Sequence, residues 1–321
     1  MDVEITAVGC ALTGDPPETF PGHNGGRWAP VAHEVVASWP AGHFAENLAV
    51  DPSGIVYVSL HSHHRIDRYD PRTRKLEAFA SFPVSAAGLA FDQNGSLWVT
   101  GGAVGQAPGY VWRVGQGGTV EVWVEVPNAV FMNGCTPHSD GQTLLVCESV
   151  TGRILAVDQH QRRWRAWLTD DRLRPTTPQM PGANGIKIRG AWAWISVTDH
   201  NVILRTPIGQ DGQAGQLEVA AEHLRADDFA FGSTGATYIA THVAQTVLRL
   251  APDGTREAIA GPDEGAVGST ACAFGRASGD KTALYVTTTG GMWGPYRGQI
   301  QDAKLLRLEV AETGRPLLPD P

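Results

Sequence analysis

A short apolar slot recurs six times along the chain, and its spacing restricts the fold more than any other feature. The slots are Glu46-Asn47-Leu48-Ala49-Val50, Ala87-Gly88-Leu89-Ala90-Phe91, Phe131-Met132-Asn133-Gly134-Cys135, Gly182-Ala183-Asn184-Gly185-Ile186, Asp227-Asp228-Phe229-Ala230-Phe231 and Thr270-Ala271-Cys272-Ala273-Phe274. Between Glu46, Ala87, Asn133, Asn184, Asp227 and Thr270 the intervals are 41, 46, 51, 43 and 43 residues. A period of about 40–50 residues with several strands per unit is the signature of a β-propeller. Six slots predict an all-β, six-bladed propeller with four-stranded blades.

The first blade shows the pattern. An inner strand over 47–50 meets the turn Asp51-Pro52-Ser53-Gly54, then strands follow over 55–60 and 65–69. The second and fifth blades repeat it, with Asn94-Gly95 and Asp253-Gly254 as hairpin signals. Outer strands are expected over 76–83, 120–127, 217–224 and 256–262. No such strand follows 305–310, whereas His33-Glu34-Val35-Val36-Ala37-Ser38-Trp39-Pro40 precedes the first slot and resembles one. That N-terminal strand is expected to complete the last blade and close the ring, which removes two sheet edges. The expected organisation is an irregular arm over 1–32, one propeller domain over 33–312 and a C-terminal tail over 313–321.

Composition excludes several function classes. The 38 glycines and 21 prolines suit a turn-rich β protein. A net charge of −8 argues against nucleic acid, which needs a basic face. No run of 18 or more apolar residues exists, so no membrane span is expected, and no basic n-region precedes an apolar stretch at the N-terminus. Cys10, Cys135, Cys147 and Cys272 show no CxxC spacing and are expected to be small buried hydrophobes, as in a reduced, cytoplasmic protein. No G-x-S-x-G elbow, P-loop or dinucleotide fingerprint occurs.

In an up-and-down blade the innermost strand lines the channel, and its start shares one face with the loop between the second and third strands. All six slots should therefore ring one mouth. Insertions over 101–109, 167–183 and 290–303 fall there too, and their Trp167, Met180, Met292, Trp293 and Tyr296 are expected to build an apolar lid. Four slot residues carry oxygen donors: Glu46, Asn133, Asn184 and Asp227. Two carboxylates and two carboxamides suit a hard divalent cation. Thr270 and Ala87 leave space for substrate. Strand alternation is expected to send Asp227 to the channel and Asp228 to nearby backbone donors. His61 in the His61-Ser62-His63-His64 loop and His242 in the matching loop of blade five are expected to border the substrate. Asp199 in Thr198-Asp199-His200, Glu148, Phe131 and Thr270 are further substrate-side candidates.

At the four donor positions the chain resembles the SMP-30/gluconolactonase/LRE-like family of six-bladed propellers, from Glu46 to Val310. The resemblance implies one divalent metal, calcium before zinc or magnesium, held by Glu46, Asn133, Asn184 and Asp227. It also implies lactone hydrolysis with Asp227 as general base. Sugar-lactone members carry an arginine two residues before the third-blade asparagine. Here Phe131 stands in its place, which favours a less polar lactone or related ester. Glu46-Asn47-Leu48-Ala49-Val50, Asp227-Asp228-Phe229-Ala230-Phe231 and Tyr285-Val286-Thr287-Thr288-Thr289-Gly290-Gly291 look closer to a branch rich in fungal members, some of which are natural-product cyclases. A cyclase or isomerase of the hetero-Diels–Alderase kind and a non-catalytic binding propeller are the rival expectations. All three take a small-molecule ligand or, for the last, a protein.

Overall fold

The structure, a computed structural model, describes residues 26–315. Cys10 and the rest of the arm up to residue 25, with residues 316–321 of the tail, lie outside the described residues.

Six sheets stand in a ring as the blades of a β-propeller. Their innermost strands are Ala45–Val50, Ala86–Phe91, Met132–Pro137, Ala183–Arg189, Phe229–Phe231 and Ser269–Phe274, in chain order. Blade one continues outward through Val56–Leu60, Arg65–Asp70 and Lys75–Ser81, each antiparallel to the last. Short loops make this meander the natural outcome, since two- to five-residue turns join only antiparallel neighbours. The ring closes as expected: His33–Trp39 pairs antiparallel with Ala303–Glu309, with Val35 opposite Leu306 and Trp39 opposite Ala303. Arg27–Trp28 adds a parallel fifth strand to blade five, beside Arg256–Ala260. No helix among the described residues is long and apolar enough to cross a membrane.

Each blade packs its apolar face on the next. One cluster joins blades three and four through Leu145, Ile154, Trp167, Ile186 and Ile195, all buried. Another joins blades six and one, with Trp39 packed among Leu48, Val58, Tyr285 and Leu305. Trp39 also donates its indole N–H to Asp67 at 2.8 Å. Trp167 lies in the outermost strand of blade three, Trp164–Thr169, buried and donating to the Gly212 carbonyl at 2.8 Å. It is therefore an inter-blade residue, not part of a mouth lid as the sequence suggested. Burying an indole between blades with its N–H bonded is a favourable use of it.

The slots hold a feature that alternation does not predict. In five of the six innermost strands the ladder slips at the slot, between Ala45 and Asn47, Ala86 and Leu89, Met132 and Cys135, Ala183 and Ile186, and Ser269 and Ala271. A bulge lets neighbouring residues share one side of the strand and leaves a carbonyl free. Hydroxyls of the adjacent blade accept that task. Ser59 donates to the Ala87 carbonyl at 2.7 Å, Thr100 to that of Asn133, Ser149 to Ala183 at 2.6 Å and Ser196 to Asp227 at 2.6 Å. Thr270 completes the circuit by donating to the Ala45 carbonyl at 2.6 Å. Asn133-Gly134 and Asn184-Gly185 are thus not turns. A Cβ on Gly134 would lie 2.5 Å from the Asn184 carbonyl oxygen, and one on Gly185 would lie 2.4 Å from Asp228 Oδ1. Glycine is required there because the next blade's slot comes that close.

Candidate metal and active centre at the channel mouth

Glu46, Asn133, Asn184 and Asp227 are all buried at the slot positions of blades one, three, four and five. Burial comes first among the forces on Glu46 and, with the negative charges of Asp227 and Asp228, pushes its carboxyl well above the usual range. Asp227 is also raised, by burial, although its bonds to His242 and Asn184 pull the other way. Asn184 Nδ2 donates to Asp227 Oδ1 at 2.6 Å and to Thr198 Oγ1 at 3.0 Å. Asn133 Nδ2 donates to Ser149 Oγ at 3.2 Å. Two acceptor oxygens at the site, Glu46 Oε2 and Asn133 Oδ1, are buried and have no hydrogen-bond partner.

Orphaned buried acceptors are costly, so each one calls for a partner. Oxygens of this kind, beside two carboxylates that destabilise each other's charge, fit a hard divalent cation. Among the described residues no cluster of three or more His, Cys, Asp or Glu is placed to hold a metal. The candidate set is different in kind: two carboxylates completed by two carboxamides.

His242 stands beside the centre, with its Nδ1 2.8 Å from Asp227 Oδ2. Its backbone φ of 44° is left-handed, a conformation that non-glycine residues adopt at a cost. Its Nε2 is buried without a partner. His61 opens a short 3-10 turn, His61–His63, in the corresponding loop of blade one. Burial first, then the charge of His64, lowers the His61 imidazole to about 4, so it is neutral at pH 7. Its ring lies 5.3 Å from that of Phe44 and 6.5 Å from that of Phe131, centroid to centroid.

Three sequence candidates are spent on structure. Glu148 is fully buried, and its oxygens accept from the backbone N–H of Val130 and Phe131, each at 3.2 Å, and from Thr151 N at 2.6 Å. It holds the segment leading to Asn133 and presents no free oxygen to a substrate. Asp199 accepts from Thr176 N at 2.6 Å, Thr176 Oγ1 at 2.8 Å and Thr177 N at 2.9 Å, which anchors the insertion before blade four. Thr270 is fully buried, its hydroxyl given to Ala45 and Thr287. Chain position says nothing about whether a side chain is already satisfied.

Asp228 corrects a further expectation. It accepts from Lys187 Nζ at 2.6 and 2.8 Å and from Asn47 Nδ2 at 3.3 Å, so its main partner is a buried ammonium rather than backbone. Asn47 belongs to blade one and Asp228 to blade five, which are not neighbours. Their contact therefore crosses the channel, and Lys187–Asp228–Asn47 forms a polar bridge next to Glu46 and Asp227. The signal available beforehand was Lys187 itself, a lysine at an inner-strand position otherwise held by small or apolar residues.

No family model matches the chain. A 69-residue stretch, 20% of the chain, is 39% identical to the 6-deoxy-6-sulfogluconolactonase of Pseudomonas putida; it spans 24% of that protein's length. Structural likeness extends much further. Regucalcin from Agrobacterium tumefaciens, described as a calcium-binding protein, superposes with a TM-score of 0.68 at 17% identity, over 90% of this chain and 97% of that one. A luciferin-regenerating enzyme gives a TM-score of 0.69 at 12% identity, over 89% and 97%. A gluconolactonase from Xanthomonas campestris gives 0.63 at 13% identity, over 88% and 90%. At these identities the likeness establishes the fold, and these neighbours are the same group of six-bladed propellers that the slot residues resemble.

Proposed function

We propose that this protein is a divalent-metal-dependent hydrolase of a lactone or related ester less polar than a sugar lactone. The observation that carries the reading is the pair of buried carboxylates, Glu46 and Asp227, set beside two oxygens that lack partners, Glu46 Oε2 and Asn133 Oδ1. The relatives and neighbours named gluconolactonase support the reaction class, and regucalcin supports calcium.

Glu46, Asn133, Asn184 and Asp227 would hold the ion. Its chemistry, when bound, is that of a Lewis acid toward an ester carbonyl. The rest falls to the chain's own residues. Asp227 takes the proton of the attacking water, and burial makes its carboxyl a better base than a solvated one. His242 Nδ1–H, donating to Asp227 Oδ2, fixes the orientation of that carboxylate. Water adds to the carbonyl carbon, the ring C–O bond breaks, and the leaving alkoxide takes the proton that Asp227 received, giving the hydroxy acid. The four phenyl and imidazole rings around the mouth limit the water that competes at the site.

Turnover of a panel of lactones by purified protein, with calcium and with chelator, tests this. Asp227→Ala and Asp227→Asn are expected to lower kcat by about 10²–10⁴. Unchanged turnover in those variants and after chelation sinks the hydrolase reading. Ring formation or rearrangement that survives chelation would point to a cyclase instead.

A further inference from the structure

The mouth carries a row of rings that the donor set does not explain. Trp293, in the loop between Ala283–Thr288 and Ala303–Glu309 of blade six, is 60% exposed. Its ring is 6.5 Å from Phe44, edge-on. Phe44, just before the innermost strand of blade one, is buried and stands 5.3 Å from His61 and 5.8 Å from His242. From His61 the row continues to Phe131 at 6.5 Å, and from His242 it reaches Asp227 at 2.8 Å. These separations are those of interacting aromatic pairs. Loops of four different blades thus bring their rings together in a set that forks at Phe44, one arm reaching Phe131 and the other the proposed base.

Two carboxylates on the same face offer little to a polar substrate. The carboxylates best placed to bind sugar hydroxyls, Glu148 and Asp199, are committed to backbone amides. A polyhydroxylated ring would exchange water for ring faces and lose hydrogen bonds. An alkyl or aryl group would gain.

We propose that Trp293, Phe44, His61 and Phe131 form a binding track for an apolar substituent carried by the lactone ring, with Phe44 at its centre and Trp293 at its outer end. The substrate class is therefore an alkyl- or aryl-substituted lactone. This rests on the hydrolase reading for turnover, but binding tests it separately. Each methylene lying on the track strengthens binding by about fourfold, from roughly 0.8 kcal/mol per buried CH₂.

The experiment compares γ-lactones with methyl to heptyl side chains, in kcat and KM, together with calorimetric binding of the matching hydroxy acids. For the unaltered protein KM and Kd are expected to fall about fourfold per methylene over several carbons, with kcat changing little. Trp293→Ala, at an exposed position that spares the core, is expected to flatten that slope for the longer chains. Phe44→Leu is expected to flatten it for the short ones as well. Hydroxy-acid binding is expected to quench tryptophan fluorescence, and Trp293→Phe to remove most of the quench while calorimetry still detects binding. Turnover absent but hydroxy-acid binding that tightens with chain length leaves the track standing and removes the hydrolase. Binding that does not depend on chain length, or a slope that survives Trp293→Ala, overturns the track whether or not lactones are hydrolysed.

Discussion

Lys187 shows what one side chain can decide in a channel lined by carboxylates. Its ammonium is bonded to Asp228 through both oxygens. Burying the pair yields little net stability, but breaking it leaves a charge uncompensated in a low-dielectric site. Lys187→Met is expected to cost about 3–5 kcal/mol in chemical denaturation. Adding Asp228→Leu should recover much of that loss; a double variant as unstable as the single one would show that the bridge has some other role. Asp199 offers a residue-scale prediction in pH. Partial burial raises its carboxyl, but the bonds from Thr177 and Thr176 outweigh that and hold it at about 2, below the ordinary 3.8. A depressed carboxyl stabilises the fold above its unfolded pKa and loses that contribution as pH falls through the folded one. The Thr176 and Thr177 amides should therefore exchange faster with solvent as pH drops from about 4 toward 2, after correction for intrinsic exchange. Asp199→Asn should show no such added step in that window.

At the scale of the strand, the bulged slot is the unit that builds the site. Regular alternation would aim Glu46 and Asn47, or Asp227 and Asp228, to opposite sides. The slip in the ladder lets Glu46 and Asn47 both turn toward the channel, and Asp227 and Asp228 precede the regular strand of blade five with the same result. The closing strand matters equally, because a propeller with an unpaired blade exposes two edges. Trp39 lies in that strand, 3% exposed, with its indole bonded to Asp67 of blade one. Trp39→Ala is expected to destabilise the protein by about 3–5 kcal/mol. Trp39→Phe, which keeps most of the packing and loses the hydrogen bond, should lose less. Equal midpoints in a denaturant titration would show that the ring is closed by other contacts.

For the whole molecule, the proposed metal would be linked to the fold. An ion that binds the native mouth and not the unfolded chain stabilises by about 2.7 kcal/mol at a hundred times its Kd. Calcium is expected to raise the thermal midpoint by several degrees and chelator to reverse it, with Glu46→Gln reducing the shift. Because the carboxyls of Glu46 and Asp227 are raised, protons should compete with calcium at a higher pH than for ordinary carboxylates. Calcium affinity measured by calorimetry should fall as pH goes from 7 to 5, and a flat profile would place the ion elsewhere. The sequence by itself determined the repeat, the six blades, the meander within each, and the strand that closes the ring. These follow from periods of apolar residues and turns that neighbours in the chain can express. It also set Glu46, Asn133, Asn184 and Asp227 at one position of the repeat. Only the tertiary structure decided which polar groups remain free. Asn47 meets Asp228 across 181 residues of chain, and Thr270 gives its hydroxyl to Ala45 across 225. No local pattern encodes those meetings, because a bulge and a closed ring bring them about.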